Sequence, residues 1–283
     1  MQKTQASESP TKADETENQR RQNFLEKLER MRLLDDSLMT KCFEDNIECT
    51  ELVLHIILNK QDLKVTEART EYNIKNLQGR SVRLDIYAVD STGKKYNIEM
   101  ERNDKRATPK RVRYNSSLMD ANSILPGEDV ELLPKTYVIM ITENDYWGEG
   151  KPIYSIDKYV SDSELAYDDE SYIIYINGAF KAEADSLSPL EKLIHDFNCI
   201  NPNDMYFDVL ANRVQYLKSN EEGVKKMGQV MDELIEEYVN EERVEFAIKL
   251  LRRGKLPIEE IAECTSLSID KIKELEADIL HAY

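Results

Sequence analysis

Apolar and polar positions fall into three kinds of pattern along the chain. Helical spacing predicts a helix over 22–42, restarting near Asp35-Asp36 where an N-cap stands, and a short apolar helix over 47–58 (IECTELVLHIIL). Period-two alternation predicts strands over 82–89 and 94–101, after a first strand over 72–76. A continuous apolar run at 136–142 (TYVIMIT) predicts a strand buried on both faces. Between these, a helix is expected over 109–123, opened by Pro109 in its first turn. Two more strands are expected at 152–156 and 172–176, then helices at 187–197, 203–218, 221–253, 257–264 and 268–280.

This order implies an α/β fold with a helical tail. The expected division is a polar, disordered leader over 1–21, an α/β domain over 22–200 and a helical region over 201–283.

The strands 82–89 and 94–101 carry the chemistry. On the first, Leu84, Ile86 and Ala88 alternate with Arg83, Asp85, Tyr87 and Val89; on the second, Tyr96, Ile98 and Met100 alternate with Lys95, Asn97, Glu99 and Glu101. Ser91-Thr92-Gly93 joins them as a three-residue loop with Gly at the left-handed position, which pairs Asp90 with Lys94 and sets Asp85 opposite Glu99. Opposed residues have Cβ atoms roughly 4.5–5.5 Å apart, so two like charges repel there. Glu101 adds a third carboxylate on the same face. Such a cluster becomes favourable around a hard divalent cation, so Asp85, Glu99 and Glu101 are expected to form a metal site. Glu51, acidic in an otherwise apolar helix, is expected to reach it. The bland alternative is a solvated acidic sheet face.

Composition narrows the picture. The chain has 283 residues, 33% of them charged, and a net charge of −17, which argues against coating DNA non-specifically. The charge is uneven, however. Arg102, Lys105, Arg106, Lys110, Arg111 and Arg113 form a basic strip just past the acids and are the expected DNA-phosphate contacts, the alternative being intramolecular ion pairs. No apolar run is long enough to span a membrane, and no secretory leader is visible. Four cysteines without a CxxC pair imply reduced thiols and a cytoplasmic location, and three scattered histidines argue against zinc.

At these residues the sequence resembles the PD-(D/E)XK nuclease superfamily: α-β-β-β-α-β order, Asp on the second strand and Glu-x-Glu on the third. LDIYAVDSTGKKYNIEMER, PKRVRYNSSLMDANSILPGED and LPKTYVIMITEND are similar to the recombination-promoting nuclease (Rpn) family, also described as transposases, over about Leu33 to Ala179. The resemblance implies a restriction-endonuclease-like core of mixed sheet and flanking helices. It implies a metal-dependent DNA endonuclease linked to recombination, mobile elements or phage defence, with Mg2+ (or Mn2+ or Ca2+) as cofactor. Asp85 and Glu99 would bind metal, with the Met100 carbonyl as a third oxygen, and Glu51 would match the first-helix acid that orients water. Glu101 stands where Lys or Gln is usual; it would bind metal or accept a proton from water. The second reading is a catalytically weak or inactive member that binds DNA or protein as a regulator.

The tail 256–275 resembles a small helix-turn-helix, but its second helix opens Ser268-Ile269-Asp270-Lys271, poor in the basic and amide side chains that read bases. Packing, or a homodimer through the C-terminal helices, is the expectation.

Overall fold

The computed structural model describes residues 12–76, 80–182 and 187–281. Three helices come first: α1 (Lys12–Glu29), α2 (Asp36–Phe43) and α3 (Ile47–Leu58). Strands β1 (Val65–Ile74), β2 (Val82–Asp90) and β3 (Lys95–Glu101) follow, then α4 (Pro109–Ala121) and β4 (Thr136–Thr142). After β5 (Ile153–Ile156) and β6 (Ser171–Asn177) the chain is helical: α5 (Pro189–Asn198), α6 (Asp208–Ser219), α7 (Glu221–Arg253), α8 (Ile258–Thr265) and α9 (Ile269–His281).

The six strands form one mixed sheet in the order β1-β2-β3-β4-β6-β5. Strands β3, β4 and β6 run parallel, while β1, β2 and β5 are antiparallel to their neighbours. All seven residues of β4 are buried, as its unbroken apolar run requires. Helix α4 covers one face of the sheet, with Val112, Leu118 and Met119 packed in a cluster with Tyr87, Val138, Met140 and Tyr175. Helices α2 and α3 lie against β1, and α3 also meets α5 and α6. Tyr96, Tyr137 and Tyr172 stack in register across three strands, with ring centroids 5.1 and 4.7 Å apart.

Three expectations are corrected. The first strand is longer than 72–76 and begins at Val65, because it is an edge strand whose alternation is broken by a bulge between Val65 and Glu67 and by Glu71 at φ 51°. Helix α1 begins at Lys12, inside the segment expected to be a disordered leader. Its stretch of Ala, Glu, Gln, Arg and Lys has good intrinsic helix propensity despite having little to bury. Residues 1–11 of that leader lie outside the described residues. Finally, the chain divides into compact units at Met227–Gly228 rather than near 200, because α6 packs on α2 and α3.

The second unit has its own small core. Ala247 from the end of α7 meets Ile261 and Ala262 of α8 and Ile272 and Leu275 of α9, and Ser266 turns the chain in the left-handed conformation. Among the described residues no helix is long and apolar enough to cross a membrane.

Candidate functional site

The turn between β2 and β3 fixes the site. Gly93 has φ +83° and donates its N–H to the Asp90 carbonyl at 3.0 Å, and the Asp90 N–H reaches the Lys94 carbonyl at 3.1 Å. The ladder then runs from Val89–Lys95 to Ile86–Ile98, so the next opposed pair is Asp85 with Glu99. Strand β2 continues against β1 down to Val82, and β3 continues against β4 up to Glu101. The two strands of the hairpin therefore part company at the two acids.

Side chains take over the backbone bonds at the fork. The Met100 N–H donates to Asp85 Oδ2 at 2.9 Å, and the Asp85 N–H donates to Glu99 Oε1 at 3.3 Å. Glu99 is 1% exposed, so its charge has almost no access to water. Burial and then the Glu99 charge push the Asp85 carboxyl well above its ordinary range, against the pull of the Met100 N–H and Arg111. Burial raises Glu99 too, with Arg111 the main opposing influence.

Arg111 is the cation of this centre. Thr108 caps α4 by accepting the Arg111 N–H, which sets that side chain in the first turn. Its Nη2 donates to Glu99 Oε2 at 3.0 Å and its Nη1 to Glu101 Oε2 at 2.9 Å. Burial alone would lower the Arg111 pKa; the charges of Glu99, Asp85 and Glu101 outweigh it and raise it. Glu101 Oε1 accepts the Asn103 N–H at 3.0 Å, so both of its oxygens are engaged. The sheet face that carries these acids is buried beneath α4, and a solvated acidic face is excluded.

Other expected residues fall elsewhere. Glu51 is not at the fork: its carboxylate accepts from Lys64 Nζ at 2.9 Å and from the Val65 N–H at 2.8 Å. Val65 pairs with Asp90 at the turn end of β2, five residues or about 16 Å of strand from Asp85. The phase of α3 against the sheet decides this, and sequence spacing does not reveal it. The acid that does lie near Asp85 is Asp36 in the first turn of α2, whose charge raises the Asp85 pKa. Desolvation raises its own carboxyl, against the pull of Arg102 and Arg106. The only sequence signal there was the helix restart at Asp35-Asp36.

The basic strip divides. Arg111 sits among the acids; Arg102 pairs with Asp35 at 2.6 Å and with Glu143 at 3.2 Å; Arg106 lies 4.0 Å from Glu101. The exposed side chains of Lys105, Lys110 and Arg113 form no ion pair among the described residues. The three expected carboxylates are not equivalent in the structure. Glu101 is turned to Arg111 and Asn103, and among the described residues no group of three His, Cys, Asp or Glu side chains is gathered as for an ion. What remains is a two-acid fork, Asp85 and Glu99, whose mutual repulsion and hard oxygen donors suit a divalent cation.

A mixed sheet flanked by helices, with Asp on β2 and Glu-x-Glu on β3 meeting where the strands part, defines a PD-(D/E)XK nuclease-like protein. The sequence model of the PD-(D/E)XK nuclease family transposases matches residues 44–188, and the chain belongs to that family. No curated protein and no solved structure matches the chain.

Proposed function

We propose that the protein is a divalent-metal-dependent DNA endonuclease that hydrolyses phosphodiester bonds. The observation that carries this reading is the fork itself: a half-buried Asp85 and a buried Glu99 on parting strands, each pushed towards protonation, in a chain of this family. Asp85 and Glu99 would hold the ion, Mg2+ or a similar one such as Mn2+, with the Met100 carbonyl beside them. When bound, such an ion supplies charge to neutralise the phosphodiester and makes an adjacent water more acidic.

This chain's own groups do the rest. Glu101, fixed by the Asn103 N–H and Arg111, orients the attacking water or accepts its proton. Asp36 adds a carboxylate near Asp85. Exposed Lys105, Lys110 and Arg113 hold flanking phosphates, with Arg102 and Arg106 joining once released from their acidic partners.

A second reading is a DNA- or protein-binding regulator with little catalysis. It is favoured by Glu101, an acid where Lys or Gln is usual, whose two oxygens are both already bonded.

Nicking of supercoiled plasmid separates the two. Purified protein is assayed with Mg2+, Mn2+, Ca2+ or chelator, beside Asp85→Ala and Glu99→Ala. The expected result is metal-dependent cutting by the wild type and loss of at least about a hundredfold in each variant, more than the loss of an outer-shell partner costs. DNA binding without cutting under every metal would establish the regulator instead.

A further inference from the structure

Arg111 has three properties that a fixed structural ion pair would not need together. It bridges two acids at once, Glu99 at 3.0 Å and Glu101 at 2.9 Å. It is more accessible than either acid it bridges, its side chain 31% exposed against 1% for Glu99 and 10% for Glu101. It also has a substitute at hand, since Arg106 lies 4.0 Å from Glu101 with its side chain 62% exposed. The three acids are held by backbone N–H groups from Asp85, Met100 and Asn103. The movable partner is therefore the guanidinium, on a long side chain in the first turn of α4, with exposed Lys110 and Arg113 beside it.

We propose that Arg111 is the resident counter-ion of the fork, and that it and an incoming divalent cation exchange on Glu99. This rests on the reading of Asp85 and Glu99 as a metal centre.

The charges make the exchange reciprocal. Asp85, Glu99 and Glu101 against one guanidinium leave two formal negative charges, enough to attract a divalent ion. Once it has arrived, two cations on one buried carboxylate repel each other at short range in a weakly screening environment. The guanidinium is the one with a path to solvent. Arg106 then takes its place on Glu101, and the freed Arg111 joins Lys110 and Arg113 on the face offered to phosphate. In the absence of metal, Arg111 keeps the fork assembled and offsets part of its charge. The proposed nuclease would then carry its own occupant of the cation position, and metal loading would deliver an arginine to the substrate.

Metal affinity without DNA is the test, because it reads the exchange and not turnover. Calorimetric titration with Mn2+ and with Ca2+ compares the wild type with Arg111→Met and Arg111→Lys, alongside thermal unfolding with and without the ion. With the competing charge gone, Arg111→Met is expected to bind either ion about tenfold more tightly or better, the scale on which one neighbouring charge shifts a buried carboxylate's affinity for a proton. Its unfolding temperature should fall without metal and rise further on adding metal than the wild type's does. Arg111→Lys keeps the charge but cannot fork to two acids; it should be tightened by a smaller factor, and it serves as the test if the methionine variant does not fold.

Wild-type binding with no tightening in the variant that folds, or with weakening, overturns the exchange and makes Arg111 an organiser of the metal centre. Binding by neither wild type nor variant overturns the metal centre itself, a distinct result. Binding by a variant and not by the wild type supports the exchange most strongly.

Discussion

The hairpin of β2 and β3 buries carboxylates at both of its ends, and the two ends treat them in opposite ways. At the turn, Asp90 accepts four hydrogen bonds: from the Thr92 N–H at 2.8 Å, Thr92 Oγ1 at 2.7 Å, the Lys94 N–H at 3.0 Å and Tyr96 Oη at 2.8 Å. Burial would raise its pKa, but those donors outweigh it and hold it low. At the open end Asp85 and Glu99 face each other, and both are raised. The same strands thus carry one acid whose donors outweigh its burial and two whose partners do not. A carboxylate that is fully bonded within the protein has a structural role to explain it. A pair left in conflict costs stability, and the persistence of that conflict is what points to an external cation.

The sharpest way to break this contrast is Asp85→Asn. If the fork is functional and frustrated, cleavage should fall at least about a hundredfold, while metal-free protein unfolds at the same temperature as wild type or higher. The amide oxygen can still accept the Met100 N–H, and one of two repelling charges has gone. A variant that keeps its cutting and loses stability would reverse the assignment of the two ends.

Asp90→Asn is the mirror experiment. One oxygen cannot accept all four bonds, so chemical denaturation should show a loss of about 1–3 kcal/mol, with cleavage per folded molecule unchanged. The pH profiles sharpen it further. The Asp90 pKa is lower in the folded protein, so its contribution is present above the ordinary carboxylate range, near 4, and is lost as pH falls through the depressed value. Asp85 and Glu99 are raised, so without metal they favour folding below that range and lose that contribution as pH rises through their folded values. Wild-type stability minus that of Asp90→Asn should therefore increase with pH, whereas wild type minus Asp85→Asn should decrease. Two slopes of the same sign would mean that the ends do not differ electrostatically.

The turn end was the more legible of the two in the sequence. Gly93 at the end of a three-residue loop fixes the pairing of Asp90 with Lys94, and counting from there puts Asp85 across from Glu99, one step beyond the last ladder pair, Ile86 with Ile98. Local backbone rules suffice for that, and likewise for β4, where every residue is apolar or small and buried. What the sequence left hidden is set by packing between distant elements. That Arg111 meets Glu99 and Glu101 depends on how α4 lies over the sheet, and within a strip of six basic residues nothing local marks it out. Asp36 read only as a helix start. Strand β1 lost its period at a bulge and at Glu71, so most of it went unseen.

Glu51 tests the boundary between the two ends, with the smallest expected effect. Its carboxylate is tied to Lys64, to the Val65 N–H and more loosely to His55, whose Nε2 is 3.9 Å away. Burial would raise its pKa, but the bonds from Lys64 and Val65 hold it low. In these respects it behaves as Asp90 does and belongs with the satisfied acids. Glu51→Gln should cost about 1 kcal/mol or less, since the Lys64 partner is exposed and the amide can still accept one bond. Plasmid cutting should be unchanged. A loss of cutting comparable to that of Asp85→Asn would mean that a carboxylate held low by its donors, some five residues of strand away, still serves the reaction, and the rule that raised acids mark the site would fail on this hairpin.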